Sequence, residues 1–86
     1  MHVTWKPIAD GADAPRSKLP DSVFAFPAER KEPLVDAGHV RSAIARFGQV
    51  GGVSEAERAQ AFANIKAAAD YYGVSVTASS WRDLVG

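Results

Sequence analysis

The 86-residue chain contains no cysteine. That excludes disulfide scaffolds, zinc ribbons and fingers, and thiol redox chemistry, and it points to a reducing compartment and a fold held by its core. Single-sign charge is lacking too: ten basic residues balance ten acidic ones, for a formal net charge of zero. No global field therefore draws the chain toward nucleic acid or an anionic membrane. Long apolar runs are missing, which excludes a spanning helix. The stretch Met1–Pro7 lacks the apolar core of a signal peptide. The expected location is the cytoplasm.

What is present suits one small domain. Apolar residues make up 47% and charged residues 23% of the chain, close to the average for a folded globule. Residues 1–18 show neither helical nor strand periodicity and are read as a flexible N-terminal segment, with residues 19–86 as the domain. Val3, Trp5 and Ile8 alternate loosely, so the first eight residues can form a short extended piece. Trp5 either docks on the domain or serves as a contact for a partner.

Residues 19–35 hold Pro20, Pro27 and Pro33, which forbid a continuous helix. Val23–Phe26 is rich in strand formers, and an extended backbone places Phe24 and Phe26 on one face. With no ladder partner in view, this piece is expected to lie across helices as an aromatic and proline-rich strip. Asp36 is a natural N-cap, and Val35 is positioned to staple onto Val40. Val40, Ile44 and Phe47 recur at helical spacing, so the first helix is expected from Ala37 to Phe47, stopped by Gly48. The glycine-rich link Gly48–Val53 turns the chain back. Ser54 and Glu57 form a capping box that opens a second helix, Glu55–Tyr72, ended by Gly73. Phe62, Ile65, Ala69 and Tyr72 form its apolar stripe, and many alanines raise its propensity. Thr77 can cap a last short turn that carries Trp81 and Leu84 on one face. The expected fold is therefore mainly α: a small antiparallel helical hairpin closed by the N-terminal strip and the C-terminal turn.

The run Leu19-Pro20-Asp21-Ser22-Val23-Phe24-Ala25-Phe26-Pro27, with Arg30-Lys31-Glu32-Pro33-Leu34, Asp36 and His39-Val40-Arg41-Ser42-Ala43-Ile44-Ala45-Arg46-Phe47, resembles a small family of actinobacterial and phage proteins. Gly52-Val53-Ser54, Glu57-Arg58, Tyr72-Gly73-Val74 and Trp81 continue the likeness, which covers about residues 19–84. More distantly, the pattern is similar to segments of phage head- and tail-associated proteins. The resemblance implies a phage or mobile-element setting. It carries no activity and no catalytic residue onto this chain.

No constellation for catalysis emerges, and no enzyme, cofactor or metal is expected. His39 lies three residues after Asp36, a pairing that could serve acid–base or metal chemistry, but His2 is the only other histidine. Helix-start duty explains the pair more simply. Ser54 is accounted for by capping. The loop Gly48–Gly52 lacks a P-loop lysine, and Glu55 and Glu57 already occupy the positive end of the following helix.

Two readings of function remain. In the first, the chain is a non-enzymatic interaction or adaptor module that contacts a protein partner, or itself, through Trp5, Tyr71 and Trp81. In the second, Arg30, Lys31, Arg41 and Arg46 contact the backbone of DNA or RNA. Residues 16–46 carry six basic groups, though four acidic ones are interleaved, which favours a solvated or ion-paired face. Because a core this small has little reserve, replacing Phe47 or Phe62 with alanine should cost about 3–5 kcal/mol. A thermal melt unmoved by Phe62→Ala would place the core elsewhere.

Overall fold

The strip expected to cross the helices alone finds a strand partner seven residues downstream. In the computed structural model, which describes residues 3–8 and 15–85, β1 (Phe24–Phe26) pairs antiparallel with β2 (Lys31–Pro33). The register sets Phe24 opposite Pro33 and Phe26 opposite Lys31. This corrects the mainly α hairpin expected above: the fold mixes two helices with a two-stranded sheet. Lys31-Glu32-Pro33 has no strand-like composition, so nothing within the strip announces a ladder partner for Phe24–Phe26. Its pairing instead depends on the turn at Pro27–Arg30 and on two non-glycine residues with left-handed backbone, Arg30 (φ 54°) and Glu32 (φ 58°). Such conformations cost energy unless neighbours hold them. At Arg30 the holding groups are the Phe24 ring, 4.7 Å below the guanidinium, the Leu19 carbonyl at 2.8 Å and the Asp21 carboxylate. Pro33 at the end of a two-stranded sheet loses no ladder bond it could have made.

The helices follow the sequence closely. α1 spans Ala37–Arg46, and Asp36 caps it by accepting from the His39 amide at 2.7 Å. A tighter turn, Phe47–Gln49, continues it for three residues. α2 spans Glu55–Tyr72 and opens on the expected capping box, with Ser54 and Glu57 each bonding the other's backbone amide at 3.1 and 2.9 Å. Gly73 ends it with φ 74°, a left-handed cap that favours glycine. Gly48 acts differently from the expected stop. A Cβ there would lie 3.3 Å from the Val85 backbone, so its missing side chain lets the C-terminal turn, Trp81–Leu84, close against the end of α1. Ser80 and Asp83, rather than Thr77, cap that turn.

Two buried clusters result. The larger gathers Trp5, Phe26, Leu34, Val40, Phe47, Phe62 and Ile65, with Ile44, Tyr72, Trp81 and Leu84 packed around it. The smaller holds Leu19, Val23, Phe24 and Val35. Phe24 and Phe26, expected on one face, are thus divided between the two. Phe26 tilts against Phe47 with ring centroids 5.7 Å apart. Val35 joins the smaller cluster while Val40 joins the larger, so they fall on different sides of the expected staple.

In the N-terminal segment Trp5 docks on the domain, one of the two outcomes expected for it. Residues 9–14 lie outside the described residues, but residues 3–8 run across α2 and β1. Trp5 is only 7% exposed, and its indole N–H donates to the Leu34 carbonyl at 3.1 Å. Asn64, fully buried in α2, fastens this segment with every hydrogen-bonding site of its amide. Its oxygen accepts from the Thr4 and Trp5 amides at 2.9 and 3.0 Å, and its nitrogen donates to Thr4 Oγ1 and the Ala25 carbonyl, both at 3.0 Å. A side-chain amide has two donor hydrogens and two acceptor lone pairs, so it is saturated.

Asn64→Ala should therefore destabilise the fold by about 3 kcal/mol or more, since each buried partner left unpaired costs about 1–3 kcal/mol. The gain in helix propensity, at most about 0.7 kcal/mol, cannot offset this. Denaturant unfolding measures the loss. Hydrogen exchange should show faster exchange at the Trp5 amide, and unchanged protection there would contradict the bracket.

Candidate functional site

The residues singled out from the sequence are not gathered in one place. Trp5 is buried, so its indole serves the core and not a surface. Trp81 is half-buried between two guanidinium groups, with Arg82 4.5 Å and Arg58 5.8 Å from the ring centroid. Arg58 also donates to the Val50 and Val53 carbonyls at 3.3 and 3.5 Å, and Arg82 lies 3.7 Å from Glu55. Trp81 therefore fastens the C-terminal turn to the start of α2. Tyr71 differs: it is 63% exposed while its ring stands 5.7 Å from Trp5 and 4.9 Å from Tyr72, both edge-on. One ring edge is held by the core and the rest faces solvent.

The four candidate nucleic-acid cations are dispersed. Arg30 is held by Asp21, Leu19 and Phe24 beside the smaller cluster. Lys31 lies on β2. Arg41 and Arg46 are both exposed on α1, but five residues apart on a helix they point about 140° from each other. No basic stripe results from these four. His39 contacts Asp36 through Nδ1 at 2.8 Å, on the same oxygen that caps α1. No group of three metal-ligating side chains occurs among the described residues.

The surface with the most consistent character is the outer side of α2. Ala61, Ala68 and Ala69 are buried in the core and Ala67 packs at its edge, while Ala56, Ala59 and Ala63 are exposed or half-exposed. A surface helix ordinarily covers that side with charge. A shallow groove of about 470 Å³ crosses it, lined by Ala63, Lys66, Ala67, Asp70, Val74 and Val76, with Val3 completing it. Val3 is 42% exposed. Tyr71 follows Ala63 and Ala67 at the same four-residue step. Sequence reading found the alanines and Tyr71. It could not find Val3, Val74 or Val76, which reach this place only through the docking of the segments on either side of the helix.

A second cleft, of about 320 Å³, lies at the start of α2 between Phe26, Pro27, Glu29, Ala56, Glu57 and Thr4. Glu29 and Glu57 approach closely enough to share a hydrogen bond when one is protonated. That bond raises Glu29 above the ordinary carboxylate value, helped by partial burial and by the Glu57 charge. Glu57 is held below its ordinary value by the same bond and by the Ser54 amide it accepts from. The proton settles on Glu29 because Glu57 is the anion of the capping box at a positive helix end. Nothing in the spacing of these two glutamates signals the pair, since the turn at Pro27–Arg30 creates it.

Residues 10–79 match a family of unknown function, DUF6582. No curated protein and no solved structure matches the chain. No helix among the described residues is long and apolar enough to cross a membrane.

Three carboxylates that hold helix or turn starts titrate low. Asp36 is depressed first by the His39 amide, Glu57 first by the bond to Glu29, and Asp83 first by the Ser79 amide. A depressed group contributes stability above its unfolded value and loses it as pH falls through its folded value. Glu29, being raised, acts in the opposite sense. Three against one, the melting temperature should fall as pH drops below about 4. Asp36→Asn keeps a capping oxygen but cannot titrate. Its melting temperature should match the parent near neutrality and fall less in acid. Parallel pH profiles for the two proteins would remove Asp36 from this role.

Proposed function

The chain belongs to DUF6582, a family of unknown function, and we propose that it works as a non-enzymatic interaction module that binds another protein through the outer side of α2. The observation that carries this reading is Tyr71: a large aromatic ring, 63% exposed, anchored at one edge by Trp5 and one helical step beyond Ala67, which lines the groove on α2. Aromatic side chains with restricted motion are favoured at interface centres, because little conformational entropy remains to be lost on binding. The alanines allow a partner to approach the helix backbone closely, and the valines at the groove margin supply apolar area without long flexible side chains. An adaptor role in a phage-derived setting is consistent with the sequence resemblance of residues 19–84.

A photo-crosslinking side chain at position 71 tests the reading in the native cell. Adducts are expected from position 71, and none from the exposed position 45 on α1. Equal labelling from both positions, or none from either, would end the proposal.

A further inference from the structure

The cleft at the start of α2 combines an apolar lining with two carboxylates. Phe26, Pro27, Ala28 and Ala56 supply carbon to its walls, around a volume of about 320 Å³. Glu29 and Glu57 line it too, both half-buried and close enough to share a hydrogen bond. That contact is satisfied only while a proton lies between the two groups. Once the proton leaves, like charges in contact repel unless a cation takes its place. The chain brings none within ion-pair reach. The ion pairs among the described residues join Arg30 to Asp21, His39 to Asp36 and Arg82 to Glu55. Lys31 acts on Glu29 only through its more distant charge.

The carbon-lined walls require that cation to carry an apolar stem. An ammonium on a methylene chain meets both demands. Its N–H donors reach two carboxylates at once, and its stem covers apolar surface while the head stays with the charges. A bare divalent ion does not fit, since calcium or magnesium takes about six or more oxygen ligands. No group of three metal-ligating side chains occurs among the described residues.

The position of the cleft favours a protein as the source of the ammonium. Ala56, Gln60, Ala63 and Ala67 succeed one another at steps of three and four residues. The cleft and the groove of α2 therefore lie along one side of the helix, with Thr4 bordering the first and Val3 the second. Tyr71 follows at the far end, about 20 Å of helix from Glu57. We propose that the cleft seats a lysine side chain of the protein partner, its ammonium between Glu29 and Glu57 and its stem against Phe26 and Ala56. This rests on the interaction reading above and gives the partner a basic anchor at the opposite end from Tyr71.

A blocked lysine, N-acetyl-lysine N-methylamide, titrated into the isotope-labelled full chain at neutral pH tests the seat by NMR. One side chain brings few atoms, so a Kd of about 1–10 mM is expected. Amide shifts should centre on Ala28, Glu29, Ala56 and Glu57. The same molecule acetylated on its side-chain nitrogen keeps the stem without the charge, and should bind at least about tenfold more weakly. Glu29→Gln and Glu57→Gln should each weaken binding of the blocked lysine. Glutamine still serves a capping box, so the start of α2 survives Glu57→Gln, and matching circular dichroism melts show this. Protons compete with the ammonium for Glu29, which meets Glu57 from α2 and the charge of Lys31 from β2. Affinity should therefore fall as pH drops through the raised Glu29 value.

Shifts that are absent, that the acetylated molecule reproduces, or that survive both glutamine substitutions overturn the proposal. Cleft shifts on concentrating the chain alone would also overturn it, by making a second copy the occupant. Tighter binding of butylammonium than of the blocked lysine would do so by making the cleft a small-amine site. If the cleft ignores lysine while position 71 still crosslinks, only the lysine seat falls and the interaction reading stands. If the cleft takes lysine while position 71 captures nothing, the interaction reading falls, and with it a protein as the source of the ammonium.

Discussion

The four hydrogen bonds of the Asn64 amide hold the rest of the structure in register. A buried amide is tolerable only when all its donors and acceptors are met, and here the partners come from two separate pieces of chain, the N-terminal segment and β1, which Asn64 ties to α2. Because each bond has a direction, the bracket fixes where residues 4 and 5 lie in a way that apolar contact alone does not. With Thr4 placed, Trp5 reaches the Leu34 carbonyl and enters the main core. With Trp5 placed, Tyr71 acquires its edge contact and Val3 arrives at the groove. The core and the proposed binding face thus share one polar anchor.

That anchor explains how a helix can be buried on one side and smooth on the other. α2 meets β1, α1 and the C-terminal turn through Phe62, Ile65, Ala68 and Ala69. Its remaining alanines add helix propensity without adding charge. Two arginines of the chain are put to internal use. Arg30 covers Phe24 beside the smaller cluster, and Arg58 spans the loop carbonyls and Trp81. Each brings a cation onto an aromatic face, a contact that gains strength as water is excluded.

Local signals suffice where a few adjacent residues carry the whole argument. The Asp36 cap, the Ser54–Glu57 box, the span of α2 and the left-handed Gly73 all depend on side chains reaching their own backbone within four residues. The signals that failed are non-local or disguised. Lys31-Glu32-Pro33 does not look like a strand, and its pairing needs an arginine held in an unusual backbone conformation by residues up to eleven positions away. Nothing near Asn64 in sequence says that Thr4, Trp5 and Ala25 will saturate its amide. For Trp5 the sequence left two outcomes open, docking or partner contact, because the group that holds its segment lies about sixty positions away.

The sequence by itself determined two helices, their caps, the break between them, and the absence of thiol chemistry, since each follows from residue type at short range. Only the tertiary structure decided that the proline-rich strip doubles back as a sheet, that Trp5 belongs to the core, that Glu29 meets Glu57, and that Val3, Val74 and Val76 border the alanine side of α2. Those outcomes depend on which distant groups satisfy one another's hydrogen bonds and fill one another's gaps. Such choices are made among pieces of chain that carry no mark of their partners until all of them are packed together.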